Sequence, residues 1–125
     1  MISLFGLFGR SREVRLIEDG VRAHGLHKAL VPDAVKFTVV RLLKETPEGV
    51  TPESTCRAGE LLAWCMLGED EFTENNGTVS ARHADARVAE AIESGDSLDA
   101  QLVLLTLKAN VCHPAIIDRY GLSAE

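Results

Sequence analysis

Apolar residues recur at helical spacing along most of the chain and are densest between Asp96 and Cys112. Projected at about 100° per residue, Leu98, Leu102, Leu105, Ala109 and Cys112 fall on one face. Ala100, Val103, Leu104, Leu107 and Val111 fall on a second, and thin polar seams (Asp99, Thr106 and Asn110; Gln101 and Lys108) separate the two. A helix that is apolar on two sides needs packed neighbours on both, so the pattern predicts a central buried helix over residues 97–112. Gly95 and Pro114 punctuate its ends, and Asp96 or Ser97 can accept hydrogen bonds from the first-turn amides.

Other segments repeat the helical period with weaker signals. Between Ser11 and Leu30, Val14, Ile17, Val21 and His24 share one stripe, while Arg15, Glu18, Asp19 and Arg22 read as the solvent side. Gly20 and Gly25 each disfavour a helix interior by about 1 kcal/mol relative to Ala, which predicts fraying or a kink near His24. Pro32 restarts the chain, and Val35, Val39, Leu42 and Leu43 predict a helix over Asp33–Glu45. Residues 36–40 are rich enough in β-favouring types to read as a strand instead, but no partner strand is evident. Thr51-Pro52-Glu53 combines a capping hydroxyl, a first-turn proline and a first-turn acid, predicting a helix that runs to Leu67 and stops at Gly68. Its core face is Ala58, Leu61, Leu62, Cys65 and Met66, which puts Trp64 on the opposite, charged side with Glu53, Arg57 and Glu60. Residues 69–77 read as an acidic loop or one helical turn anchored by Phe72. A helix from Ser80 or Thr78 to Glu93 follows, with Ala81, Ala84, Val88, Ala91 and Ile92 inward and His83, Arg87 and Glu90 outward, and a short one from Pro114 to Tyr120 ends at Gly121 with Leu122 beyond it.

Length and composition narrow the class. A chain of 125 residues, 46% hydrophobic and 26% charged, is expected to form one helical domain over 1–125, with residues 1–9 as an apolar N-terminal strap. No apolar run approaches the roughly 20 residues that span a bilayer. Arg10 and Arg12 follow the first apolar run rather than precede it, unlike a secretory leader. Three cysteines and the absence of a leader predict a cytoplasmic, reducing setting, and Asn76-Gly77-Thr78 then reads as a turn rather than a glycosylation site. Cys56 and Cys65 lie about 13 Å apart along one helix on nearly opposite faces, which rules out a bridge between them. Residues 1–44 carry +4 and residues 45–125 carry −10, an asymmetry that suits attraction within the fold better than a nucleic-acid footprint.

Candidate chemistry is sparse. His24 and His27 are three residues apart and Cys112-His113 adds further ligand types, but no zinc spacing or His-Glu-x-x-His pattern is present. His24 reads as a hydrogen-bonded residue at the core edge and Cys112 as a small buried hydrophobe. Cys65 with His83, or Cys112 with His113, would give a nucleophile and a base without any supporting motif. There is no nucleophile elbow, phosphate loop or dinucleotide fingerprint. No cofactor and no metal is therefore expected. Leu42 to Leu62, LLKETPEGVTPESTCRAGELL, resembles the hydrophobic helix, turn and Thr-initiated second helix of winged-helix regulators, and Ala115 to Ser123 resembles the first helix of such a motif. The candidate second helix has Arg57 against Glu53 and Glu60, too little positive charge for phosphate contacts, so both stretches read as ordinary corners and imply no family.

These observations predict an all-α bundle of about five to six helices around residues 97–112. Its expected role is that of a protein–protein interaction or adaptor module, binding another protein or a second copy of itself as a homodimer. Trp64, Arg57 and Glu60, with Phe5 and Phe8 of the strap, are the candidate contact residues. A DNA-associated regulator and a small enzyme with a site spread over loops are the alternatives, and contact of residues 1–12 with a membrane surface is a further one.

Overall fold

The computed structural model describes residues 11–123. Over that span the protein is all-helical, with seven helices and no strand: α1 (Arg12–Arg22), α2 (Asp33–Lys44), α3 (Pro52–Leu67), α4 (Glu69–Asn76), α5 (Thr78–Ser94), α6 (Leu98–Lys108) and α7 (Pro114–Tyr120). A 3₁₀ turn, Lys28–Leu30, joins α1 to α2. Residues 36–40 are helical, and the acidic stretch after Gly68 forms a complete two-turn helix with Phe72 fully buried. Among the described residues no helix is long and apolar enough to cross a membrane.

Local sequence explains the boundaries. Ser11 accepts a hydrogen bond from the Val14 amide, and Ser97 does the same for Ala100. Thr51 and Ser54 satisfy each other's backbone amides reciprocally at 2.9 Å, with Pro52 at the first helical position. Gly68, at φ +87°, both ends α3 and opens α4, a left-handed conformation that a β-carbon would strain. At the end of α7, Gly121 is left-handed and the Leu122 amide donates to the Ile117 carbonyl at 3.0 Å, the closure anticipated from sequence.

The core is organised around α3 rather than around residues 97–112. Ten of the sixteen residues of α3 are buried, against Leu102, Val103 and Thr106 in α6. α6 stops at Lys108, and the chain then turns through Asn110 at φ +61°. Its second apolar face is only partly covered, with Leu104 exposed and Leu107 half-buried. α3 instead packs against α1, α4, α5 and α6, and reaches α7 through Trp64.

The closest of these contacts is the α1–α3 crossing. A β-carbon on Gly59 would lie 2.3 Å from the Gly20 carbonyl carbon, and one on Gly20 would lie 2.3 Å from the Thr55 oxygen. Gly20 therefore marks backbone-to-backbone packing inside a regular helix, not fraying. The approach lets Val14, Ile17 and Val21 reach the shared core.

α1 and α2 run antiparallel, as shown by the pairs Glu13–Lys44 at 3.2 Å and Glu18–Lys36 at 2.8 Å. The second pair corrects the solvent-side reading of Glu18: the Lys36 and Glu18 side chains are 3% and 7% exposed. Burial of either charge without its counterion would cost several kcal/mol, so this pair fixes the register of α1 on α2.

Candidate functional site

Trp64 does not lie on a charged surface. Its ring is fully buried, because α4 and α7 close over the side of α3 that a single-helix projection leaves open. Phe72 meets it edge-on, with ring centroids 5.3 Å apart and planes at 87°. The indole N–H donates to the Tyr120 hydroxyl at 3.1 Å, and that hydroxyl donates to Asp85 at 2.6 Å. The Arg119 guanidinium stacks over the indole and pairs with Asp85 and Glu69. These contacts act on the titrating groups. Burial and the Asp85 carboxylate raise the Tyr120 phenol pKa, whereas hydrogen bonds from Arg119 and Tyr120 lower that of Asp85. The cluster pins α7 to α3 and α5.

Arg57 and Glu60 belong to a separate polar seam. Arg57 is exposed and pairs with Glu48, while its carbonyl accepts from Arg87 at 2.8 Å. Glu60 accepts from Arg87 at 2.8 Å and meets His83 Nδ1 at 3.0 Å. Arg87 also makes two bonds to Asp99. Burial works against its charge, but the two carboxylates outweigh that effect and raise its pKa. The seam couples α3, α5 and α6. Phe5 and Phe8 lie outside the described residues.

The other candidate ligands are dispersed. His24 hydrogen-bonds the Gly20 carbonyl at 3.0 Å, as expected for a histidine at the core edge, and His27 caps the 3₁₀ turn through Ala29. His113 caps α7 through Ala115, far along α4 from His24: its ring packs on Gly68, whereas the His24 carbonyl accepts from Asn76. Among the described residues no three His, Cys, Asp or Glu side chains converge in a metal-ligating group. The corner between α2 and α3 does not expose a second helix, since that helix is α3, the buried centre of the fold.

An exposed aromatic is found elsewhere. Phe37, on α2, is 56% exposed beside a cleft of about 500 Å³ between α1 and α2. Val14 and Val40 form its apolar floor, with Glu13, Arg41, Lys44 and Glu45 around it. The rim charges are paired, Glu13 with Lys44 across the helices and Arg41 with Glu45 along α2 at 3.6 Å. A second apolar patch between α5 and α6, around Ile92 and Leu104, is smaller at about 190 Å³. Phe37 was legible as an apolar residue three positions before Val40 and off the Val35–Val39–Leu42 stripe, a pairing hidden by the strand-like composition of residues 36–40. No protein-family model matches the chain, and no curated protein or solved structure shows significant similarity to it.

Proposed function

We propose that the protein is a protein-binding module of the reducing cytoplasm whose docking surface is the α1–α2 cleft at Phe37. The supporting observation is that a large aromatic side chain stays mostly in water beside an apolar floor, while Trp64 of α3 and Phe72 of α4 are enclosed. Aromatic side chains beside an apolar floor and inside a polar rim are the usual anchors of protein interfaces. Two antiparallel helices form a groove suited to a third, so the partner presents an amphipathic helix. The rim carries both signs, Arg41 and Lys44 with Glu13 and Glu45, and calls for a partner stripe flanked by acids and bases rather than a uniformly charged polymer.

A photo-crosslinking residue at position 37, compared with one at Val79 on α5, tests this reading. The expected result is a single protein captured from position 37 only, whose purified form binds the purified chain and competes with the crosslink. Capture of a second copy would assign the cleft to self-association and overturn the reading, as would identical products from both positions.

A further inference from the structure

Two of the cysteines come together outside this cleft, where the turn after α6 returns to the end of α3. Cys65 lies in the last turn of α3 and is fully buried, and its carbonyl accepts from the His113 amide at 2.8 Å. After Lys108 the chain folds back so that the amides of Val111 and Cys112 both donate to the Thr106 carbonyl, at 3.0 and 3.1 Å. That turn, held to the end of α3 by the His113–Cys65 backbone bond, packs Cys112 onto the core beside Cys65 and the buried Thr106, close enough for the two thiols to influence each other's ionisation. Cys112 remains partly exposed while Cys65 is fully buried, so solvent reaches the pair from the Cys112 side. The third cysteine, Cys56, is exposed on α3 two and a half turns away from Cys65.

We propose that Cys112 and Cys65 form a peroxide-reactive dithiol, in which Cys112 is oxidised first and Cys65 resolves it to a disulfide. The asymmetry of the pair supports this order. The hydrogen bond from Cys65 and the contact with Thr106 bring the Cys112 thiol down to about 7, whereas its role as donor and its burial push Cys65 up. The Cys112 thiolate attacks one oxygen of a hydroperoxide. The O–O bond breaks, the leaving oxygen takes a proton to become an alcohol or water, and Cys112 becomes a sulfenic acid. The Cys65 sulfur then attacks the Cys112 sulfur, the S–O bond breaks, and the departing hydroxide takes the Cys65 proton as water. Two thiols and one hydroperoxide thus give a disulfide, one alcohol or water, and one further water. A dithiol reductant reverses the change. The bridge would tie the end of α3 to the turn that leads into α7.

The test treats the reduced, folded chain with hydrogen peroxide, alkylates the remaining thiols after denaturation and maps the peptides. The wild type should yield a Cys65–Cys112 cross-linked peptide with Cys56 still alkylated, and dithiothreitol should remove the cross-link. Cys65→Ala should stop at a sulfenic acid on Cys112 that dimedone traps, and Cys56→Ser should behave as the wild type. Should Cys65→Ala fail to fold, the wild-type map decides alone. Oxidation of Cys56 at doses that leave Cys112 alkylatable would overturn the proposal, as would over-oxidation of Cys112 with Cys65 still free.

Discussion

Replacing Gly59 with alanine tests the architecture at its tightest point. In an ordinary helix interior this change stabilises by about 1 kcal/mol, through backbone entropy. Here the new methyl would meet the Gly20 carbonyl carbon at 2.3 Å and its oxygen at 2.4 Å. Comfortable carbon contacts need about 3.5 Å or more, so α1 must retreat by roughly 1 Å, and a gap of that size forfeits up to half of each dispersion contact along the seam. Val14, Ile17 and Val21 would all lose packing against α3. Overpacking of this kind costs about 1–3 kcal/mol, and the clash is with backbone that cannot rotate away. The net expectation is a loss of about 2 kcal/mol, or about 8 °C in melting temperature for a chain of this size. Gly20→Ala should behave alike, and the double variant should lose less than the sum, because the first methyl has already separated the helices. Urea unfolding of the three variants supplies the measurement. A Gly59→Ala protein as stable as the wild type, or more stable, would refute the close crossing.

Other parts of the fold make separate predictions. Lys36→Met removes the buried ammonium that meets Glu18 at 2.8 Å and should lower stability in urea unfolding, and the loss should be smaller in a Glu18→Leu background in a double-mutant cycle. Trp64→Ala should cost about 3–5 kcal/mol in urea unfolding, and a change below about 1 kcal/mol would contradict its enclosure by α4 and α7. Asp85 has its pKa lowered in the folded state, so its contribution is complete above the unfolded value of 3.8 and is lost as pH falls through the lower folded value. Asp85→Asn should therefore flatten the acid limb of the stability profile below that pH. The effect should be modest because the side chain is 40% exposed.

Several helix starts are legible because they are encoded within a few residues, whereas the helix expected over 97–112 stops at Lys108. Ser11, Thr51 and Ser97 cap amides within one turn, and Gly68 and Pro114 set the backbone conformation where a helix ends or begins. The hub was misassigned because apolar density measures how much of a helix resists water, not how near another backbone can come. α6 is the richer in leucine, but Gly59, Ala58 and Ala63 let α3 be surrounded. Trp64 shows the same limit. Its helical projection places it beside Glu53 and Arg57, and it is covered by Phe72 of α4 and by the return of α7 more than fifty residues later. Glu18 reads as a solvated charge because it is ordinary on its own helix, and its burial with Lys36 depends on the antiparallel register of α1 on α2. The Phe37 surface was missed for a related reason, since an exposed aromatic is defined by what fails to cover it. The Cys65–Cys112 pairing depends on the turn after α6, which the longer helix expected over residues 97–112 would have precluded.

The central claim, that the α1–α2 cleft binds another protein through Phe37, is tested most directly by the affinity of the crosslinked partner, purified, for the wild type and for Phe37→Asp by calorimetry. Because Phe37 is mostly exposed, the variant should keep its stability to within about 0.5 kcal/mol. The account predicts that binding weakens by about thirtyfold or more, corresponding to about 2 kcal/mol at an interface anchor. An unchanged dissociation constant in an equally stable Phe37→Asp protein would contradict it.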